Sequence, residues 1–406
     1  MNQSLGDSLP TTSFFYRPTV AEVNLARIQF NFRAFRDLLP RDSFICPMIK
    51  ADAYGHGDVE VGRALRQAGA QILGVNLLEE GVGLRRAGDR GEILTFALFD
   101  ESAALAVLEF SLTPVVSDWY QLEAFEKVLK RRAGTHQSKP KIHFKFNTGM
   151  SRLGFSVSEA KKLRAWLDGR GLQLTGICTH LLKGDDAGVA GGESEKQFRL
   201  FSEALGAFAD LKPIAHALNS SGLINLATRV NAKKSLGEGF TGLASWPLGA
   251  RPGIGIYGVA PSNDEGVNLD LQPALTLKSR LAVVHQIRSG EGVSYGATWR
   301  AKRDSVIGVI PVGYADGYLR LLSNKAPVLC RGQRASVTGI VCMDFTMIDL
   351  TDVVSKTGPV SAGEEVVLIG EQAGQEITAQ DLATLVGTNP YEILTNISRR
   401  VPRTYR

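Results

Sequence analysis

The feature that most constrains the fold is an alternation between residues 44 and 257. Short runs rich in Val, Ile and Phe alternate there with stretches whose apolar residues recur at helical spacing. An open, doubly wound sheet would give the same alternation, but eight strands within about 250 residues favour closure into a parallel eight-stranded β/α barrel. The predicted strands lie near 44–49, 71–75, 92–97, 112–116, 141–146, 172–179, 213–218 and 250–257.

The pattern changes after about residue 262. Helical periodicity nearly vanishes until 378–387, and short apolar runs are separated by turn residues. This pattern predicts a second, mostly β domain. We therefore expect a polar tail (1–18), a barrel domain (19–262) and a mostly β C-terminal domain (263–406). Residues 19–25 form a strand candidate that can pair with the C-terminal domain.

Composition and cysteine spacing exclude several classes of protein. The 406 residues carry a net charge of +5, with basic residues scattered among acidic ones, so no nucleic-acid footprint is present. The four cysteines form no CxxC pair and accompany no histidine cluster, which predicts no metal site and no disulfide framework. The chain also has no signal-peptide pattern and no apolar run of membrane-spanning length. We expect a cytoplasmic protein that binds neither nucleic acid nor membrane.

In a β/α barrel the active site lies at the C-terminal ends of the strands. Seven candidate side chains or backbone positions lie at or just beyond predicted strand ends. His143 and His216, within apolar strands, are instead expected in the core or behind the site. The strand-end candidates are Lys50, Arg152, His180, Asn219, Ser220, Arg251 and Gly253.

Lys50 follows the apolar run 44–49, so its amine would be partly desolvated. Desolvation favours the neutral amine, which is the form that makes a Schiff base with an aldehyde. Taken alone, an exposed lysine at a strand end is the more common case. The adjoining Gly55-His56-Gly57 loop and Tyr54 favour a ligand site, because such tight turns let the backbone approach a ligand.

The ends of strands seven and eight form the usual phosphate-binding corner of this fold. Ser220 would lie at a helix N-terminus, where a hydroxyl and backbone N–H groups can bind an anion, and Gly253 offers another N–H. A plain helix cap at Asn219 and Ser220 explains that sequence equally well. The run 253–258 matches GxGxxG, but it is predicted within a strand and opens no helix, so it predicts no dinucleotide site.

Arg251 bears on the type of reaction. A pyridoxal ring needs a partner for its pyridine nitrogen, and an arginine, which is always protonated, disfavours a proton there. The carbanion is then less delocalised, which suits racemisation because that reaction needs only brief carbanion character. Racemisation also needs a base on each face. Lys50 can be one base, and Tyr295, linked to Arg251 through His180, is the candidate for the other.

These motifs coincide with those of a known family. From about residue 19 to 402 the chain resembles alanine racemases, and the motifs occur in the same order. The matching segments are KADAYGHG (50–57), NTGMSRLGF (147–155), TH (179–180), NSSG (219–222), RPGIGIYG (251–258), SYGATW (294–299), VGYADGY (312–318), CMDFTMIDLTD (342–352) and NPYEILTNISRRVPRTY (389–405).

The resemblance implies a homodimer with shared active sites, pyridoxal 5'-phosphate as cofactor, and interconversion of L- and D-alanine by two bases, supplying D-alanine for peptidoglycan. Lys50 would hold the cofactor as a Schiff base and act on one face, and Tyr295 of the partner subunit would act on the other. Arg152 would contact the cofactor's phenolic oxygen and the substrate carboxylate. The backbone of Met343, also from the partner, would contact the same carboxylate.

The resemblance also assigns the remaining cofactor contacts. Arg251 would face the pyridine nitrogen, with His180 linking it to Tyr295. Lys145 matches a lysine that is carbamylated in many members and steadies the equivalent of Arg152. The phosphate would be held by Tyr54, Ser220, Gly253, Ile254 and Tyr391, with Asn219 as a further cofactor-binding candidate.

Three other functional interpretations compete with that of an alanine racemase. A pyridoxal-phosphate decarboxylase of the same architecture typically pairs the ring nitrogen with a carboxylate and binds phosphate with a glycine triplet, and Arg251 and the lack of a GGG run speak against it. A non-catalytic pyridoxal-phosphate carrier resembles the barrel alone, so the β domain and Tyr295 speak against it. A broader-specificity amino-acid racemase is closer, but those enzymes resemble secreted proteins and no signal segment is predicted.

Overall fold

The computed structural model describes residues 16–97, 99–131, 139–229, 248–261 and 269–406. Most of the predicted tail 1–18 lies outside these residues. The chain divides into two compact units. The barrel unit comprises Val23–Leu275, Pro390–Thr395 and Tyr405–Arg406, and the β unit comprises the described residues up to Glu22, Thr276–Asn389 and Asn396–Thr404.

Nine strands precede residue 251, and all but the first belong to the barrel unit. They are β1 (Val20–Val23), β2 (Ile72–Val75), β3 (Glu92–Thr95), β4 (Thr113–Val116), β5 (Lys141–Asn147), β6 (Phe155–Ser156), β7 (Gln173–Cys178), β8 (Ile214–Leu218) and β9 (Leu248–Ala250) within the described part of the chain. Seven of them form a parallel sheet in the order β2-β3-β4-β5-β7-β8-β9, and β6 pairs with β5.

The segment 44–49 closes this sheet into a ring. It makes isolated parallel bridges to the two outer strands, Ile45 to Ala250 and Met48 to Gly74. The parallel β/α barrel is therefore confirmed, but the prediction of a regular strand over 44–49 was wrong. Pro47 has no N–H to donate, so a continuous ladder cannot form there.

The eighth predicted strand, 250–257, was also wrong over most of its length. β9 ends at Ala250, and Ile254–Tyr257 form a 3₁₀ turn. Pro252 lacks an N–H and cannot extend the ladder. The GxGxxG spacing therefore falls on a tight turn beside the strand end and opens no α-helix, in agreement with the rejection of a dinucleotide site.

Helices connect the barrel strands and place an apolar face on the sheet; in α3, for example, Val61 and Leu65 are fully buried. The helices are α1 (Leu25–Asp37), α2 (Lys50–Gly55, a single turn with a left-handed backbone), α3 (Asp58–Gln67), α4 (Leu78–Arg86), α5 (Glu101–Glu109), α6 (Trp119–Arg131), α7 (Ala160–Leu167), α8 (Glu193–Gly206), α9 (Ser220–Arg229), α10 (Thr351–Thr357), α11 (Ala379–Val386) and α12 (Pro390–Thr395). None of the described helices is long and apolar enough to span a membrane.

The β unit is a mixed sheet with short helices. Its strands are β10 (Leu275–Arg280), β11 (Val283–Ile287), β12 (Gly292–Val293), β13 (Trp299–Arg300), β14 (Ser305–Ile310), β15 (Pro327–Cys330), β16 (Gln333–Val337), β17 (Thr346–Asp349), β18 (Glu365–Gln372), β19 (Gln375–Ile377) and β20 (Arg403–Tyr405). The main sheet has the order β11-β14-β17-β16-β15-β18-β10-β1-β20, with β19 on β18. β1 therefore lies between β10 and β20.

The barrel interior is apolar in its middle layer. Cys46, Leu94, Val115 and Cys178 are fully buried there in contact with one another. Phe44, Met48, Ile72 and Phe96 pack around this cluster. These side chains fill the interior of the barrel, so a ligand site is expected at an end of the strands.

Candidate active site

A cavity of about 700 Å³ lies in the barrel unit where its strands end. All the barrel residues predicted to form the site line it. These are Lys50, Tyr54, Lys145, Arg152, His180, Asn219, Ser220, Arg251, Gly253, Ile254 and Tyr391. The sequence did not indicate the other lining residues, which are Met48, Ala51, Asn76, Leu77, Glu80, Phe96, Leu153 and Cys178.

Lys50 follows the closing segment of the barrel and is half-buried. Burial and the nearby Arg152 guanidinium lower the pKa of its amine, and Glu80 partly opposes this shift. The cause agrees with the desolvation expected for a lysine at this strand end. A larger fraction of neutral amine is therefore available at neutral pH than an exposed lysine would provide.

The backbone directly after Lys50 is left-handed. Ala51, Asp52, Ala53 and Tyr54 have φ values of 54°, 54°, 51° and 54°. Each costs about 1–2 kcal/mol, because the Cβ approaches the following carbonyl oxygen. Such a turn persists only where its surroundings hold it. Among the described contacts, the Ala51 N–H donates to Oε1 of Glu80 at 2.6 Å.

Ser220, Gly253 and Tyr54 meet at one end of the cavity. The Gly253 N–H donates to Oγ of Ser220 at 2.9 Å. A Cβ at position 253 would lie 2.5 Å from the Tyr54 hydroxyl, so only glycine fits. The Tyr54 ring lies 6.0 Å from that of Tyr391, centroid to centroid. The hydroxyl groups of Ser220, Tyr54 and Tyr391 therefore line the cavity beside the N-terminus of α9, an arrangement that can bind a phosphate group.

Asn219 has a local structural role as well as lining the cavity. Its Oδ1 accepts the N–H of Gly222 at 2.8 Å. The helix-cap interpretation of this motif is therefore correct for Asn219. Ser220 differs, because its hydroxyl is directed to Gly253 on the neighbouring strand end.

Arg251 is only 6% exposed. Its guanidinium donates to Nδ1 of His216 at 2.7 Å, to the Thr179 carbonyl at 2.6 Å and to Nδ1 of His180 at 3.3 Å. Its hydrogen-bond partners in the described chain include no carboxylate. Because Nδ1 of each histidine accepts, each ring must carry its proton on Nε2.

The neutral state of these histidines has a clear physical cause. Burial and the Arg251 charge lower the pKa of His180 to about 3 and hold that of His216 well below its usual range. The Nε2–H of His216 can then donate to Nδ1 of His143, which lies 2.9 Å away. Burial likewise lowers the pKa of His143 to about 3. A chain of two neutral histidines thus supports Arg251 from inside the barrel.

Lys145 lies on β5 and is 8% exposed. Burial lowers the pKa of its amine, and the charges of Arg251 and Arg152 act in the same direction. A desolvated, neutral amine is the nucleophilic form of lysine. The placement of Lys145 in the same cavity as Arg152 is thus compatible with the expected modification.

Two predicted site residues belong to the β unit. Tyr295 lies in the turn Tyr295–Ala297 and is 73% exposed. Met343 is 52% exposed. The cavity described above is lined by residues of the barrel unit alone.

A desolvated lysine, a corner of hydroxyl groups beside a helix N-terminus and a buried arginine share one cavity at the end of a β/α barrel, which is the arrangement of a pyridoxal-phosphate enzyme of the β/α-barrel class. The residues present fit that cofactor at its aldehyde, phosphate and ring-nitrogen positions. Two family models match the chain: "Alanine racemase, N-terminal domain" over residues 23–261 and "Alanine racemase, C-terminal domain" over residues 274–405.

Individual relatives agree with the family models. An alanine racemase from Halothermothrix orenii is 38% identical, covering 96% of this chain and 97% of its own. The structure of alanine racemase from Bacillus anthracis with bound L-Ala-P has a TM-score of 0.84 at 32% identity, covering 97% of this chain and 96% of its own. That of alanine racemase from Bartonella henselae with covalently bound pyridoxal phosphate has a TM-score of 0.80 at 26% identity, covering 96% and 99%.

The chain belongs to the alanine racemase family. The predicted family, the enzyme class and the dependence on pyridoxal phosphate are therefore confirmed. The individual roles of the site residues stay predictions.

Proposed function

We propose that this chain interconverts L- and D-alanine with two opposed bases, Lys50 of one subunit and Tyr295 of a partner subunit. The observation that carries the proposal is the buried Arg251 in the same cavity as Lys50. The guanidinium has four acceptors among the described residues, the Nδ1 atoms of His216 and His180 and the carbonyls of His216 and Thr179, and all four are neutral. A permanent cation at this position opposes protonation of a pyridine nitrogen, which suits proton exchange and disfavours competing reactions.

The cofactor would be held at four places. The Lys50 amine would bind its aldehyde carbon, and Arg251 would face its ring nitrogen. Arg152 would contact its phenolic oxygen and also the substrate carboxylate. When bound, pyridoxal phosphate withdraws electrons from the amino acid and so acidifies its Cα–H. The phosphate contacts would come from Tyr54, Asn219, Ser220, Gly253, Ile254 and Tyr391.

Lys50 is suited to act as a base on one face. Its amine is half-buried, and burial together with Arg152 lowers its pKa. A base whose pKa lies nearer the working pH both accepts and returns a proton efficiently. Lys50 would take the Cα proton of one enantiomer on its own face, and Tyr295 of a partner subunit would deliver a proton to the opposite face, which gives the other enantiomer; in the reverse direction the two residues exchange roles.

The second base would come from another copy of the chain. Within the cavity, His180 already accepts from Arg251 through Nδ1, and its low pKa makes it a weak base. Tyr295 is exposed on the β unit. Its loop is joined to the Met343 loop, because Ser294 Oγ donates to the Ile340 carbonyl at 2.7 Å. One surface of the β unit would therefore present both residues to the site of a partner subunit.

The activity is tested by incubating the purified enzyme with single enantiomers of alanine, serine, lysine and arginine, followed by chiral chromatography. We expect the opposite enantiomer to form fastest from alanine. Release of carbon dioxide without formation of the opposite enantiomer would overturn the proposal in favour of a decarboxylase.

Sharing of active sites is tested by mixing two inactive variants, Lys50→Ala and Tyr295→Phe. In a dimer formed from one subunit of each variant, one active site would carry both substitutions and the other would carry neither. Random exchange of subunits should then restore about a quarter of the wild-type activity. If each subunit builds its whole site, the mixture stays as inactive as its components.

A further inference from the structure

Glu80 is the carboxylate that lines the cavity among the described residues. Its Oε2 accepts the N–H groups of Asn76 and Leu77 at 2.8 and 2.9 Å, which caps the start of α4. Its Oε1 accepts the N–H of Ala51 at 2.6 Å. Both oxygens are thus engaged, and they join the end of β2 to the backbone after Lys50.

The bond to Ala51 restricts Lys50 directly. The Ala51 N–H and the Lys50 carbonyl belong to one planar peptide group, so holding that N–H fixes the ψ angle of Lys50. The rest of the left-handed turn is held by backbone bonds: the Ala53 N–H donates to the Ile49 carbonyl at 3.0 Å, and the Gly57 N–H donates to the Asp52 carbonyl at 2.9 Å. Glu80 is the side chain that holds the start of this costly turn.

We propose that Glu80 is a positioning residue for Lys50: its carboxylate anchors the left-handed turn at Ala51 and so sets where the Lys50 amine points in the cavity. This inference rests on the proposed function, in which Lys50 carries the cofactor. It assigns a specific task to a residue that would otherwise serve only as the cap of α4.

The charge of Glu80 supports the same role. The cavity is lined by four basic side chains, and Glu80 is the acidic group that acts on Lys50, where it opposes the lowering of the amine's pKa by burial and Arg152. A charged acceptor also binds an N–H about twice as strongly as a neutral one. The titratable and charged lining groups are Lys50, Tyr54, Glu80, Lys145, Arg152, Cys178, His180, Arg251 and Tyr391.

The test compares Glu80→Ala and Glu80→Gln with a matched control, Glu79→Ala, in the cofactor-loaded enzyme. Glu79 is exposed in the same first turn of α4. Amide hydrogen exchange of residues 50–57 reports the turn, and visible circular dichroism reports how the cofactor is seated. For Glu80→Ala we expect exchange in 50–57 to accelerate about 10- to 100-fold. The dichroism should change, and kcat should fall about 10-fold or more while KM changes less than about threefold.

Glu80→Gln keeps an acceptor oxygen, so it should recover part of the exchange protection and of kcat. Glu79→Ala should match the wild type in every readout. The proposal is overturned if Glu80→Ala leaves exchange of 50–57 and the dichroism unchanged, or if Glu79→Ala has the same effects. If Glu80→Gln and Glu80→Ala behave identically, a hydrogen-bond-accepting oxygen at this position has no role, and the proposal is overturned on that point.

Failure of the proposed function would be visible separately. Borohydride reduction followed by peptide mapping identifies the lysine that carries the cofactor. If it is not Lys50, the proposed function fails, whereas the exchange measurement still reports whether Glu80 anchors the turn. If Lys50 is labelled and exchange is insensitive to Glu80, only the present inference fails.

Discussion

The two proposed bases are held in opposite ways. Lys50 lies half-buried in the barrel unit, where a strained backbone turn, a carboxylate and two arginines surround it. Tyr295 lies in a turn of the β unit with 73% of its surface exposed. A position fixed by burial is encoded by the chain that carries it, whereas an exposed side chain is positioned by whatever covers it. Substitutions at the two sites should therefore fail differently.

The largest expected effect is that of Lys50→Ala. Without the amine, the cofactor has no covalent attachment and one face has no base, so racemisation should fall by at least about a thousandfold. The measurement is the visible absorption of the lysine-bound cofactor together with the rate of racemisation. A variant that kept this absorption would refute the assignment of Lys50.

Tyr295→Phe should have a smaller and one-sided effect. Only the face served by Tyr295 loses its base, so proton exchange from one enantiomer should slow by about 100-fold or more while exchange from the other persists. Incubation of each enantiomer in deuterated water, followed by mass spectrometry, measures the two rates. Equal residual exchange from both enantiomers would refute the two-base scheme.

Tyr295→Phe should also differ from a substitution at a buried position in its effect on the stability of the subunit that carries it. Because Tyr295 is exposed and buries little surface in its own subunit, Tyr295→Phe should change the free energy of unfolding of one subunit by less than about 0.5 kcal/mol. Chemical denaturation at low protein concentration measures this change.

A third prediction concerns the support of Arg251. His216→Phe removes the acceptor at 2.7 Å from the guanidinium and leaves a buried charge with one partner fewer. We expect a loss of about 2–3 kcal/mol of unfolding free energy, because one N–H of the buried guanidinium then loses its acceptor while the other N–H of that nitrogen keeps the carbonyl of residue 216. Urea denaturation measures it, with His285→Phe as the control, since His285 is exposed on β11. Equal losses in the two variants would contradict the proposed support.

How far the sequence predicted this site depends on the kind of contact. Strand-end positions identified Lys50, Arg152, His180, Ser220 and Arg251, because parallel strands bring their C-terminal ends together whatever the detailed packing. The tight loop after Lys50 indicated Tyr54, and the resemblance added Ile254, Tyr391 and Lys145; all four also line the cavity.

The contacts that sequence reasoning missed depend on three-dimensional register. Nothing local to Glu80 distinguishes it from Glu79, and only the way β2 leads into α4 turns one of them toward Ala51. His143 and His216 were expected in the core or behind the site, but their alignment with Arg251 follows from the pairing of β5, β7 and β8. A rule that examines residues just beyond every strand, including Asn76 after β2, would have indicated this corner of the cavity.

The prediction of two regular strands failed for a local reason, which is the presence of a proline in each segment. Runs 44–49 and 250–257 have strand composition, yet Pro47 and Pro252 each remove an N–H at the point where the barrel closes. Apolar composition predicts burial, and both segments are largely buried. The type of backbone structure was decided by the two prolines.

The smallest expected effect tests the buried histidines through pH. In the folded enzyme the pKa of His143 is about 3, against about 6.5 in the unfolded chain. Between these values the unfolded chain binds one proton more at this site, so the free energy of unfolding falls as the pH falls. Each such histidine contributes a slope of about 1.4 kcal/mol per pH unit well below pH 6.5.

His143→Phe should therefore flatten the pH dependence of stability by about 1.4 kcal/mol per pH unit between about pH 4 and 5.5. Urea denaturation over this range measures the slope for the variant and the wild type. Carboxylates titrate in both proteins, so their contribution cancels in the difference. His285→Phe should keep the wild-type slope. A His143→Phe variant with the wild-type slope would mean that His143 is charged in the folded enzyme, and His216 could not then donate to it to support Arg251.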